Sequence, residues 1–170
     1  WKTIPALMRT VKPGLDAMLM EGTTIGREGE KALTEEELET KALEIMNQTP
    51  GAVFIFQSGQ NIDRVVSFFK AASKANRTFV MDVYNAYVMK VLSNGPGREN
   101  LPCPGFKNVR VYFPSDLTTR IRESQGDKAV FQFKPHKIER EEITANLDKM
   151  AALIRPSTLP FLEKIESDLS

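Results

Sequence analysis

The sequence predicts an α/β domain: a three-layer α/β/α sandwich around a mainly parallel sheet of about five strands, Rossmann-like in plan. Three observations predict it. Val53–Asp82 reads as strand, helix, strand, a length that makes a βαβ unit and therefore a parallel pairing with a right-handed crossover. The candidate strands are short, continuous apolar runs rather than alternating ones, as expected when both faces of a sheet are covered. Helical patterns separate those runs along the whole chain, with no internal repeat and no low-complexity tract.

Taken in order, residues 1–14 read as a short amphipathic helix (Ile4, Leu7, Met8, Val11) stopped by Pro13-Gly14. Ala17–Met20 is an apolar run and a first strand, followed at once by Glu21-Gly22-Thr23-Thr24. Residues 22–33 form a charged loop. Thr34-Glu35-Glu36-Glu37 is a capping box with an acidic first turn, opening a helix with Leu38, Ala42, Ile45 and Met46 inward. Its acids read as a solvated helix start rather than a metal site.

Pro50-Gly51 leads into the strand Val53-Phe54-Ile55-Phe56. Gln57-Ser58-Gly59-Gln60 breaks the run, and Asn61 can cap a helix whose stripe is Ile62, Val65, Val66, Phe69 and Ala72. That helix ends near Ala75-Asn76, and the strand Thr78–Met81 is closed by Asp82. Val83–Leu92 suits a helix apolar on more than one side. Gly95, Pro96, Gly97, Pro102, Pro104 and Gly105 mark 93–108 as a long loop. Val109–Phe113 is a fourth strand, and Ser115-Asp116 can cap a helix carrying Leu117 and Ile121. Between 125 and 138 helix and strand templates fit equally, although Val130, Phe131 and Phe133 call for burial. Glu139–Met150 reads as a charged helix, Ala151–Ile154 as a fifth strand and Ser157–Leu169 as a last helix.

Composition narrows the chemistry. The 170 residues carry 23 Lys+Arg against 22 Asp+Glu, so no global field recruits nucleic acid and any such contact must be local. One cysteine excludes an internal disulfide, and one histidine beside it cannot furnish a zinc site within the chain. No apolar run approaches the roughly 20 residues of a membrane span, and 1–20 lacks a signal-peptide core. A soluble, cytoplasmic protein is expected. The start at Trp1 rather than Met reads as a piece of something longer. No phosphate-loop, dinucleotide or Ser-His-Asp pattern occurs. Cys103, between two prolines, receives no role, and His136 among Lys134, Lys137 and Arg140 reads as a surface residue.

Parallel sheets bind ligands at the carboxyl ends of their strands. Those ends hold Glu21, Gln57-Ser58, Asp82, Ser115-Asp116 and Arg155. Asp82 can cap the following helix, and Arg155 can pair with an acid at a neighbouring strand end or face a phosphate. The turn at Ser58, Gly59 and Asn61 offers backbone N–H groups to an anion. Arg64 sits one turn later, where the helix dipole disfavours a cation unless an anion or an acid is near.

Together, Asp16–Thr23 (DAMLMEGT), Thr34–Glu37, the FQSGQNIDR turn and the RTFVMD strand resemble the beta-CASP domain of metallo-β-lactamase-fold, ribonuclease J-like RNA-processing hydrolases. KIEREEI and LIRPSTLPFLEKI are similar to the late part of that insertion. The resemblance implies a cap domain over a zinc site, with RNA or another single-stranded nucleic acid as substrate. It implies that Glu21 is the catalytic acid opening the family's motif series, and that Ser58, Gly59, Asn61 and Arg64 face bound RNA. It also implies that the zinc ligands and later histidines lie outside this chain, leaving it without a metal and inactive alone. The same turn resembles the sugar-phosphate cradle of sugar isomerase domains, with Asn61 where that family has threonine. A ligand-free scaffold is the third reading.

Overall fold

The computed structural model describes residues 33–98 and 100–156, together with 9 and 11. The chain divides into two compact units, 1–32 and 33–170, and the architecture below belongs to the second. The expected strand 17–20, Glu21 and the helix 157–169 lie outside the described residues, as does the helix 1–14 apart from 9 and 11.

Among the described residues the order is α1 (Glu35–Gln48), β1 (Val53–Phe56), α2 (Ile62–Lys74), β2 (Thr78–Asp82), α3 (Val83–Ser93), β3 (Val109–Tyr112), α4 (Ser115–Gln125), α5 (Asp127–Phe131), α6 (Arg140–Ala145) and β4 (Met150–Ile154). The four strands form one parallel sheet in the order β1-β4-β2-β3. β1 and β2, consecutive in sequence, are thus not neighbours; β4 enters between them. The crossovers β1→β2 and β2→β3 run the same way across the sheet, and β3→β4 runs back. Connections of one hand place α2 and α3 on one face; α4 and α5 pack on that same face beside α3, and only α6, late in the return, covers the other.

The two buried clusters show this layering. One gathers Ile55, Phe79, Met81, Val109, Val111, Ala151 and Leu153 with buried residues of α1 to α5. The other sets Val80, Ala152 and Ile154 against Ile138 and Ile143, the latter from α6. The result is a three-layer α/β/α fold with a Rossmann-like parallel sheet. Among the described residues no helix is long and apolar enough to cross a membrane.

Local chemistry explains most element ends. Thr34 caps α1 through the expected capping box: Thr34 N–H donates to Glu37 Oε2 (2.8 Å) and Glu37 N–H to Thr34 Oγ1 (3.2 Å). α2 closes in a Schellman motif. Asn76 takes φ 55°, Asn76 N–H donates to the Ser73 carbonyl, and Arg77 N–H reaches back to the Ala72 carbonyl (2.8 Å).

Arg77 then turns inward and is only 5 % exposed. Its Nε and Nη2 donate to the Met46 carbonyl, Nη2 also to Thr49, and Nη1 to Gly51 and Met150. One guanidinium thus joins the carboxyl end of α1, the loop before β1 and the start of β4. The negative end of the α1 dipole meets its charge.

Several expectations require correction. β1 is not buried on both faces: Phe54 is 39 % and Phe56 63 % exposed, because β1 is the edge strand among those described. Ile45 points outward, 56 % exposed, and Leu43 packs against the core instead. Pro114, not Ser115 or Asp116, occupies the cap position of α4, with no side-chain capping bond, since its extended backbone already leads into the helix. Residues 125–138 are two short helical pieces, α5 and a 3-10 turn at Lys134–His136; Val130 and Phe133 are buried, whereas Phe131 is 37 % exposed. The helix expected over 139–150 stops at Ala145. Asn146 leaves helical geometry while its side-chain amide donates to the Glu142 carbonyl, and Met150 already belongs to β4.

Candidate functional site at the carboxyl ends of the strands

Register brings the strand ends together: Phe56 pairs with Ile154 and Asp82 with Tyr112, while β2 and β4 run level through Val80 and Ala152. The segments leaving β1, β2 and β4 therefore emerge on one edge of the sheet. They supply the turn 57–61, Asp82 with Tyr84 and Asn85, and Arg155.

Asp82 does two jobs. Its Oδ1 accepts from the Asn85 N–H (2.8 Å), capping α3 as expected, and its Oδ2 accepts from Arg155 Nη2. The Asp82 side chain is 1 % exposed and that of Arg155 22 %. A buried carboxylate needs a cation and donors, and it has both. Arg155 also lies over the Tyr84 ring, its guanidinium carbon 4.9 Å from the centroid. Gln60 Nε2 donates to the Tyr84 hydroxyl (3.2 Å), which ties the turn after β1 to the helix after β2. The pairing anticipated for Arg155 is the one found. Tyr84, Asn85 and Gln60 were missed, and the available signal was their position just after a strand end.

Asn85 is fully buried, yet neither its Oδ1 nor its Nδ2 has a hydrogen-bond partner, and Gln57 Nε2 at the end of β1 has none either. An unsatisfied buried polar group costs about 1–3 kcal/mol, so these carboxamides call for a partner beyond the protein's own groups, water or ligand. Gly59 lies directly against Asn85. A Cβ there would stand 1.6 Å from Asn85 Oδ1, so glycine is required by close approach rather than by backbone sign.

The residues singled out around the turn are engaged locally. Ser58 Oγ accepts from the Gln60 N–H (3.3 Å), and Asn61 Oδ1 caps α2 by accepting from the Arg64 N–H (3.3 Å). Arg64 pairs with Glu35 at the start of α1 (Nε to Oε1, 3.2 Å). Ser67 Oγ donates to the same carboxylate (2.6 Å). Within the Glu35–Glu39 cluster, Glu35 holds Arg64, Glu37 completes the capping box and Glu39 accepts from Lys74 (2.6 Å). At the end of β3, burial pushes the Tyr112 phenol above its ordinary 10.0 while nearby Arg140 pulls it down, so it is a neutral group at neutral pH.

Among the described residues the edge presents groups suited to binding. It holds a fixed guanidinium on an aromatic ring, unsatisfied carboxamides beneath a glycine turn, and the start of α2. Asp82, its carboxylate among the described residues, is committed to Arg155 and the α3 cap. Among the described residues no three His, Cys, Asp or Glu side chains gather as metal ligands, so the donor set here does not fit zinc. No family model matches the chain, and no curated protein or solved structure does either.

Proposed function

We propose that this chain is the nucleic-acid-facing cap domain of a longer, zinc-dependent metallo-β-lactamase-fold hydrolase, a beta-CASP-like domain that lies against single-stranded RNA in the cytoplasm. The observation that carries the reading is Arg155 at the carboxyl edge of the sheet. It is held by Asp82, backed by Tyr84 and set beside the turn that opens α2. A guanidinium stacked on an aromatic ring suits a phosphodiester backbone that passes across strand ends. The DAMLMEGT, FQSGQNIDR and LIRPSTLP stretches support the same family. In this reading Glu21 is the acid that supports a later histidine of the parent, which helps hold or protonate the scissile phosphate. Ser58, Gly59 and Asn61 shape the edge that faces RNA, and Arg64 braces α2 behind it. The zinc, when bound, would supply the activated water, held by ligands of the parent.

The sugar-phosphate alternative uses the same turn less well. Its Ser58 and Asn61 oxygens already accept from backbone N–H groups of the turn and helix. The test is Arg155→Lys in the full-length protein, which keeps the charge against Asp82 but loses the fork. Affinity for single-stranded RNA should fall about tenfold, the cost of one charge-assisted hydrogen bond, with little dependence on base identity. A variant that binds and cleaves RNA like the unmutated protein at matched salt, with its fold intact, overturns the proposal.

A further inference from the structure

A second surface, on α4 and α5, carries a different arrangement. Phe131 is one of the few large apolar side chains left exposed, at 37 %. Two cations sit over its ring: Lys134 Nζ lies 4.3 Å and the Arg122 guanidinium carbon 5.2 Å from the centroid. Arg122 is itself fixed by Asp127 (2.8 Å). Residues 118–137 hold five Lys or Arg against Glu123 and Asp127, a net of +3 in a chain whose total is +1. Arg122 and Lys134 thus give the ring a locally positive surround.

We propose that Phe131, flanked by Arg122 and Lys134, is a stacking platform for one base of a single-stranded polynucleotide. An accessory contact of this kind is made by elements other than the strand-end cluster. The chemistry favours an exchange. A cation over an exposed ring is worth less than a nucleobase stacked on it, so a base takes the ring face and frees the Lys134 ammonium for the adjoining phosphate. Arg122, held by Asp127, stays beside the ring. An anionic membrane would ask for several exposed apolar groups to insert, and this corner presents only Phe131 among the exposed large hydrophobic side chains described.

The inference takes its ligand class from the reading above but rests on separate residues. Its test is binding of fluorescent oligouridylate and oligodeoxythymidylate of about 12 nucleotides to the 170-residue chain at low salt. Phe131→Ala should weaken binding about tenfold, and Phe131→Trp should keep or tighten it. Lys134→Glu should also weaken it and lower the slope of log affinity against log salt by about one. Thermal unfolding shows whether each variant is folded. Equal binding by the Ala and Trp variants, or recruitment to phosphatidylserine vesicles with no affinity for either oligonucleotide, overturns the platform. Arg155→Lys leaves the platform intact: an effect there without one at Phe131 defeats this inference alone, and the converse defeats only the strand-end reading.

Discussion

Two arginines, one buried and one half-buried, mark the two ends of the sheet, and they are satisfied in opposite ways. Arg77, just before β2, meets only main-chain carbonyls and has all three nitrogens engaged. Arg155, just after β4, meets a carboxylate and an aromatic ring, with orphan carboxamides on the neighbouring segments. The first arrangement is complete within the protein and ties the end of α1 and the loop before β1 to the start of β4. The second fixes a cation in a partly open place and leaves polar groups unanswered beside it. On the proposed reading, stability is invested at the amino end of the strands and recognition at the carboxyl end, the division expected of a parallel sheet.

The largest expected effect is at Arg77. Replacing it with alanine leaves four carbonyls, from Met46, Thr49, Gly51 and Met150, without their donor in the interior. The loss should be about 3–5 kcal/mol in urea unfolding, as for removing one partner of a buried charged network. Lysine retains the charge but cannot reach several carbonyls at once, so Arg77→Lys should recover less than half. A loss under about 1 kcal/mol for the alanine variant would break the comparison, because Arg77 would then be ornamental.

Asp82→Ala comes next. It removes the α3 cap, worth about 1 kcal/mol, and strands the Arg155 guanidinium, for a total of about 2–3 kcal/mol. Asp82→Asn keeps an oxygen for the Asn85 N–H and should recover the cap share alone. Equal losses for both variants would show that the ion pair carries everything and the cap nothing.

The sharpest contrast concerns Gly59 and Asn85. Gly59→Ala forces a methyl into the Asn85 carboxamide and should cost about 1–3 kcal/mol. Asn85→Ala removes two unsatisfied atoms and gains helix propensity, offsetting the cavity it leaves, so stability should change by less than about 1 kcal/mol. It should also relieve Gly59→Ala, giving a favourable coupling in the double-mutant cycle. A large loss in Asn85→Ala would mean that ordered water already answers its amide, and that this end is as complete as the other.

The sequence disclosed this division unevenly, for physical reasons. Caps and turns are local, so Thr34, Asn61, Asn76 and Asp82 could be read from neighbours within a few residues, and the strand ends followed. Arg77 was not legible, because its acceptors come from 26 to 73 residues away and an arginine before a strand looks like any surface cation. The edge position of β1 was hidden for a related reason. Val53–Phe56 has the composition of a doubly covered strand, and only the insertion of β4 between β1 and β2 decides which strand ends the row. The orphan amide of Asn85 is likewise a property of packing, with no trace in spacing.

The smallest expected effect is at Arg64, and it separates bracing from binding. Arg64 and Glu35 are 28 % and 43 % exposed at their side chains, so water screens the pair, and exposed pairs are worth about 0.2–1 kcal/mol. Arg64→Ala should therefore cost about 0.5 kcal/mol, and most of it should vanish in a Glu35→Ala background. Ser67 keeps Glu35 partly satisfied in the single variant, which limits the loss further. On RNA affinity in the full-length protein, Arg64→Ala should fall well short of Arg155→Lys, because its guanidinium is already paired with Glu35. A tenfold loss of RNA binding with unchanged stability would show that Arg64 leaves Glu35 when substrate arrives. The recognition edge would then extend from Arg155 past the α2 turn, and Glu35→Gln, by releasing Arg64 beforehand, should tighten binding in that case and leave it unchanged otherwise.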